Sequence, residues 1–176
     1  MAGLDPALQD HGWAHKAPAH DDLELRVSPS GGAGVFARRA FARGEFVVEL
    51  TGIVLPEAQV GPQYYAVKVG DDAWLCSTGE TVDDFLNHSC APNLGFAAGV
   101  ARLHALREIA AGEELAWDYS TAMAFTAWSM ECRCGASACR GRVTPFDELA
   151  PGAREQLLPW ALEYIRRRYG GPHQSA

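Results

Sequence analysis

Asp84-Phe85-Leu86-Asn87-His88-Ser89-Cys90-Ala91-Pro92-Asn93 is the stretch from which the chain is best read. From Asn87 to Asn93 it carries two amides, an imidazole, a hydroxyl and a thiol, directly after the apolar pair Phe85 and Leu86. Pro92 has no backbone N–H and a fixed φ, so regular structure stops there. Polar groups this dense beside an apolar anchor make either a site or a polar loop closed by an Asn-His turn. Three other segments carry equally unusual residues: Gly32-Ala33-Gly34-Val35-Phe36-Ala37 before it, then Gly112-Glu113-Glu114-Leu115-Ala116-Trp117-Asp118-Tyr119 and Cys132-Arg133-Cys134-Gly135-Ala136-Ser137-Ala138-Cys139-Arg140-Gly141 after it.

Around these segments the composition is that of one globular domain with short extensions: 176 residues, 48% hydrophobic and 21% charged. A formal charge of -7 and a pI near 5.3 argue against a broad basic face, so nucleic acid is not expected as a direct ligand. No apolar run approaches the ~20 residues that cross a bilayer, and the N-terminal stretch lacks the apolar core of a secretory signal. The expectation is no membrane span and an intracellular, reducing setting, cytoplasmic or nuclear. There, five cysteines with three packed between Cys132 and Cys139 favour metal thiolates over disulfides.

Residues 1–22 mix Ala, Gly, Pro, Asp and the histidines His11, His15 and His20 without periodicity, which reads as a mobile tail. Alternation then predicts a strand over Leu23 to Val27, and a glycine-rich turn leads to a second at Gly34 to Ala37. The run from Phe46 to Leu55 reads as one strand, and Tyr64 to Val69 with Ala73 to Cys76 as a hairpin turning at Gly70-Asp71-Asp72. Leu94 to Ala98, Val100 to Leu106 and Leu115 to Tyr119 complete a β-dominated domain. Pro151 and Pro159 each suit the first turn of a helix, and Leu158, Ala161, Leu162 and Ile165 fall on one face, so two short helices are expected at the C-terminus.

Some chemistry is legible from residue types. Cys132, Cys134 and Cys139 put three thiolates on a tight loop, where a structural zinc needs four ligands. Gly31, Gly32 and Gly34 remove side chains where a backbone turns sharply or approaches a ligand. Cys76 reads as a small buried hydrophobe. Asp71, Asp72, Glu80, Asp83 and Asp84 form an acidic group suited to a basic peptide, or simply a solvated acidic loop.

Taken in order and spacing, the four segments resemble the SET-domain protein lysine methyltransferases with their cysteine-rich post-SET segment, over about Leu25 to Gly141. The resemblance implies a mainly β fold of several small sheets, a β-clip, in which a C-terminal segment threads under a preceding loop as a pseudoknot. It implies a SET domain over 23–122, a post-SET zinc segment over 123–145 and a helical extension over 146–176. The implied activity is methyl transfer from S-adenosylmethionine to the ε-amine of a lysine in a protein or peptide, one rich in basic residues. Tyr119 matches the catalytic position. Gly32, Ala33, Gly34, Tyr65, Asn87 and His88 match cofactor contacts, Trp117 and Tyr64 the lysine channel, and Cys90 the fourth ligand of a zinc held with Cys132, Cys134 and Cys139. Three positions depart from the family pattern: Ala33 where an aromatic is common, Leu50 where Tyr is common, and Asp84 where Arg is common. The hydroxyl missing at Leu50 would come from Tyr64 or Tyr65. The same departures suggest a rival reading, a SET-like module that binds a basic peptide without catalysis. A small-molecule methyltransferase would need a strand-then-helix glycine fingerprint that the chain lacks.

Overall fold

The computed structural model describes residues 20–77, 79, 81–97 and 100–170. His11, His15 and Glu80 lie outside them. The described strands are short: β1 (Leu23–Val27), β2 (Ala33–Ala37), β3 (Phe46–Glu49), β4 (Ile53–Leu55), β5 (Tyr65–Gly70), β6 (Ala73–Ser77), β7 (Asn87–His88), β8 (Leu94–Phe96), β9 (Arg102–Ala105), β10 (Glu114–Trp117), β11 (Met130–Glu131) and β12 (Arg142–Val143). They form a large sheet in the order β1-β2-β10-β8-β9-β3 with β7 added beside β10, a sheet of three in the order β4-β6-β5, and the pair β11-β12. The expected mainly β fold of small sheets is what the chain adopts.

Alternation explains β1, β6, β9 and β10. In β1 the apolar Leu23 and Leu25 are buried while Glu24 and Arg26 face outward, and in β10 Leu115 and Trp117 are buried while Glu114 and Ala116 are half-buried. β2 lies between β1 and β10 and is buried from Gly34 to Ala37. Val35, Leu94, Phe96, Leu103, Leu115 and Trp117 belong to one core, each large side chain contributing about 1.5–3 kcal/mol by leaving water.

Around β10 the chain crosses itself. β7 and β8 both pair with β10 in parallel, Asn87 opposite Ala116, His88 opposite Trp117, and Leu94 opposite Trp117. Between them, Ser89 donates to the Trp117 carbonyl at 3.1 Å and Asn93 to the Ala116 carbonyl at 3.1 Å. The loop from 89 to 93 therefore straps over the end of β10, which is the threading that the family resemblance implied.

Four local expectations change. The run from Phe46 to Leu55 divides into β3 and β4, which belong to different sheets, because the chain turns at Thr51-Gly52. Gly52 has φ 152°, and a Cβ there would fall against the Cys76 carbonyl. β10 ends at Trp117, and Tyr119 opens a 3-10 turn through Thr121 because the Asp118 carboxylate caps it by accepting the Ser120 N–H at 3.1 Å. Asn87–His88, assigned to no regular element from sequence, is a strand held by distant pairing. At the C-terminus α1 (Pro151–Leu157) begins at its proline as expected, but Pro159 sits in a separate 3-10 turn and α2 (Glu163–Tyr169) starts after an extended Ala161. Ala161, Leu162 and Ile165 are nonetheless buried, because the break lets both segments turn inward.

The two helices brace the chain after Tyr119. Leu162 donates to the Thr121 carbonyl at 2.9 Å, and the buried Tyr164 hydroxyl donates to the Ala122 carbonyl at 2.6 Å while accepting the Ala124 N–H at 3.1 Å.

Gly52 and Gly44 give a test of the turn that separates β3 from β4. A Cβ at Gly44 meets nothing within 4 Å, so Gly44→Ala pays only for its positive φ of 83°, about 1–2 kcal/mol. Gly52→Ala adds a backbone collision and is expected to cost about 3 kcal/mol or more in urea unfolding. Equal costs for the two variants would show that the turn yields easily.

Candidate functional site

Tyr119 stands where the threaded elements meet. Its hydroxyl donates to the Leu86 carbonyl at 2.7 Å, its N–H donates to His88 Nδ1 at 3.2 Å, and burial pushes its phenol well above the usual tyrosine range. Trp117 lies 4.7 Å away between ring centroids, His88 5.3 Å and Trp128 6.3 Å. A strand running through Tyr119, as the sequence suggested, would put Trp117 and Tyr119 on one side by alternation. They do meet, although Tyr119 has left the strand, because Trp117 is wedged edge-on against the buried Phe96 and leans toward the turn.

Two cavities flank this tyrosine, each of about 250 Å³. The first is lined by Leu50, Asp83, Asp84, Trp117, Tyr119 and Trp128, the second by Gly31, Asn87, His88, Tyr119, Arg133 and Cys134, among others. Tyr119 is the one described side chain common to both linings.

The second cavity is bordered by the glycine turn. Gly31 and Gly32 have φ of 97° and 74°, a region that a side chain disfavours. Gly34 is required for a different reason, since a Cβ there would fall on the Glu114 carboxylate and 3.0 Å from Asn87 Nδ2. Asn87 Nδ2 donates to the Ala33 carbonyl at 2.9 Å and to Glu114 Oε1 at 2.9 Å. Both amide hydrogens are thus committed, and Oδ1 remains to accept from a donor in the cavity. Glu114, which fixes that orientation, was not singled out from sequence, although it lies inside the Gly112 to Tyr119 segment.

His88 acts as a strut under Tyr119. Its Nδ1 accepts from Tyr119, so its Nε2 carries the hydrogen and points at Cys90 Sγ, 3.3 Å away. Burial lowers its pKa to about 4, outweighing the nearby Asp118 carboxylate, and the ring is neutral at physiological pH.

Beside it the cysteines converge. His88, Cys90, Cys132 and Cys134 have donor atoms all within 4.8 Å of one another. Cys90 Sγ is 3.7 Å and Cys139 Sγ 3.5 Å from Cys132 Sγ, close to the roughly 3.8 Å edge of a tetrahedron of zinc–thiolate bonds. Backbone N–H groups soften the thiolates: Cys90 donates to Cys134 Sγ at 3.5 Å and Arg140 to Cys90 Sγ at 3.4 Å. Cys134 is brought down to about 6 by such bonds, against the opposing effect of its burial. This donor set suits a structural zinc. Cys76 is remote from it, 2% exposed, with its thiol pushed up by burial.

The acidic group divides. Asp83 and Asp84 line the first cavity, whereas Asp72 accepts the Glu57 N–H at 2.9 Å and serves a turn elsewhere. Asp84 accepts from Ser77 Oγ at 2.8 Å and from the N–H and hydroxyl of Thr81, which makes a capping box for the 3-10 turn Val82–Phe85. Asp83 takes the Thr51 N–H at 2.7 Å and its hydroxyl. Neither forms an ion pair among the described residues.

The two tyrosines at the start of β5 lie apart from the groups expected for them. Tyr65, expected with the cofactor, lines the first cavity, and Tyr64, expected in the channel, packs toward Trp74, Cys76 and Met123. Neighbouring residues at a strand end face opposite ways, which separates the pair. Leu50 lines the first cavity as expected for its position, and Trp128, which carried no signal in the sequence, supplies another wall.

With this geometry in place, comparison with known proteins identifies the scaffold. The SET domain family description matches residues 32–120. The Drosophila melanogaster histone-lysine N-methyltransferase ash1 is 30% identical in an alignment of 136 residues that covers 68% of this chain and 6% of that protein. Among solved structures, Arabidopsis thaliana SUVH6 in complex with SAM matches with a TM-score of 0.59 at 25% identity, covering 69% of this chain and 33% of that one. KRYPTONITE in complex with mCHH DNA, an H3(1-15) peptide and SAH matches with a TM-score of 0.55 at 28% identity, covering 69% and 29%. The chain thus spans a small part of each, and the residues matched by the family description, 32–120, contain the crossing and the tyrosine common to both cavities. It belongs to the SET-domain family.

Proposed function

We propose that this chain transfers methyl groups from S-adenosylmethionine to the ε-amine of a lysine in a protein or peptide, and that a zinc ion braces the site. The observation that carries the reading is the position of Tyr119 on the wall of both cavities, where a donor in one and an acceptor in the other would meet. The relatives support it: ash1 is named a histone-lysine N-methyltransferase, SUVH6 holds SAM, and KRYPTONITE holds an H3 peptide with SAH.

When bound, the sulfonium donor supplies an electrophilic methyl group, whose C–S bond breaks as the C–N bond to lysine forms in line. The residues here align and protect that exchange. Asn87 Oδ1, left free by the two bonds that its Nδ2 donates, would accept from the donor's ammonium, and the glycine turn would let backbone approach closely. Tyr119 spends its own hydrogen on Leu86, which turns its oxygen lone pairs toward the reacting groups. Because burial disfavours the phenolate, Tyr119 stays a neutral phenol that would orient the amine, and the ammonium's proton would leave to bulk water before the lysine side chain fills the first cavity. Leu50, Trp117 and Trp128 keep water from the first cavity.

Cys90, Cys132, Cys134 and Cys139 would hold the metal. His88 borders them but its Nδ1 accepts from Tyr119, so Nε2 carries a hydrogen and donates to the Cys90 sulfur in place of binding the ion. Asp83 and Asp84, uncompensated by any cation among the described residues, favour a lysine flanked by basic residues. The departure at Asp84 is absorbed by its capping box, which gives one of the three departures behind the inactive reading a structural role of its own.

Tyr119→Phe is expected to cut turnover by about 100-fold or more while leaving cofactor affinity nearly unchanged. Asn87→Ala is expected to weaken cofactor binding by about 1–3 kcal/mol, read by calorimetry. Retained turnover in the first variant, or an unaltered titration in the second, would overturn these roles.

Elemental analysis is expected to find one zinc per chain, lost in Cys134→Ser together with activity and kept in His88→Gln. Zinc retained in the cysteine variant and lost in the histidine one would replace a thiolate by the imidazole.

Asp84→Asn keeps acceptors for Ser77 and Thr81 and removes the charge. It is expected to raise KM for a basic peptide about threefold to tenfold at low salt and to flatten its salt dependence. An unmoved KM would free the substrate preference from this carboxylate.

A further inference from the structure

Asp118, the residue before Tyr119, has a carboxylate with 0% exposure and an unusual load. Its Oδ1 accepts the Ser120 N–H at 3.1 Å and Arg140 Nη2 at 2.8 Å, and its Oδ2 accepts Arg140 Nη1 at 2.6 Å. Arg140 follows Cys139 in the cysteine loop, donates its own N–H to Cys90 Sγ and reaches Ser120 Oγ with Nη2 at 3.3 Å. One guanidinium thus spans the cysteine loop, the end of β10 and the turn that carries Tyr119.

An exposed ion pair contributes little, but here the acid is wholly buried, so removing its partner strands a charge. The fork has a second effect. Two parallel N–H groups fix the plane of the carboxylate, and that plane sets where Oδ1 meets the Ser120 N–H and so how the Tyr119–Thr121 turn is wound. An ammonium group offers the same charge as a point and fixes no plane.

We infer that Arg140 is a positioning residue for Tyr119: through the Asp118 carboxylate, the cysteine loop sets the direction of the phenol that separates the two cavities. The inference rests on the role given to Tyr119 above. It makes the loop more than a wall, since its folded state is read out at the reacting centre through one side chain.

The test is a double-mutant cycle on the full, zinc-loaded chain. Arg140→Lys is expected to lower kcat about tenfold or more with zinc content and cofactor affinity within about twofold of the parent, and to change the residual rate of Tyr119→Phe less than about twofold. An equal loss in both backgrounds, or none in the parent, overturns the inference, since a general loosening would act whether or not the hydroxyl is present. Hydrogen exchange gives a readout independent of activity: amides of the Tyr119–Thr121 turn are expected to exchange about fivefold faster or more in Arg140→Lys, with Cys132 to Cys139 unchanged. Unchanged protection in the turn overturns it. If Arg140→Lys loses zinc, the same cycle and exchange measurement with Asp118→Asn, which touches no cysteine, decide by the same criteria. If the parent methylates no lysine peptide offered, the assigned activity fails, and the exchange measurement still decides whether Arg140 holds the turn.

Discussion

The parallel pairing of Asn87–His88 with Ala116–Trp117 is the interaction on which the rest depends. Parallel neighbours cannot be joined by a tight turn, so the chain between them must travel, and here it runs through β8 and β9 before β10 returns beneath the 89–93 strap. Once β10 is under that strap, Tyr119 emerges beside Leu86 and His88, and Asn87 faces Ala33 and Glu114. Nothing local holds these groups together. Their alignment is a property of the crossing, and its backbone bonds are shielded by Trp117, Phe96 and Leu115.

The polar groups at the crossing are nearly all spoken for. Asn87 commits both amide hydrogens, His88 uses both ring nitrogens, Tyr119 gives its hydrogen to Leu86, and Asp118 is filled by Ser120 and Arg140. Buried polar networks fix a unique geometry only when they are satisfied in this way. What is left over defines the chemistry: one amide oxygen on the side of the glycine turn, and phenol lone pairs between the cavities. The cysteine loop closes the arrangement from outside, and Cys90 belongs to both the strap and the loop, so the two cannot move independently.

Charge is distributed to match. Asp83 and Asp84 satisfy neutral donors and so keep their negative field on the first cavity, whereas Asp118 is neutralised by the Arg140 guanidinium and Glu113 by Arg107. Among the described residues, a chain with net charge -7 thus leaves two carboxylates without a cation on the wall of the first cavity while its buried Asp118 is paired.

The amino-acid sequence by itself determined β1 and β6, where burial and exposure follow the backbone period, and placed β2 and the β5–β6 hairpin by their glycine-containing turns. It also determined the thiolate cluster, since Cys132, Cys134 and Cys139 are near one another along the chain, and it made Asn87, His88 and Tyr119 recognisable through motif order. Tertiary structure alone decided that Asn87–His88 is a strand, since two residues acquire that form only from a distant partner. It decided the break at Gly52, forced by the approach of Cys76, and the turn at Tyr119, forced by a cap whose acid is held from residue 140. It parted Tyr64 from Tyr65 and brought in Glu114 and Trp128, residues of ordinary type at ordinary spacing. Local pattern records which side of a strand faces the core. It carries no information on which remote segment lies beneath a loop, and that is where the site is made.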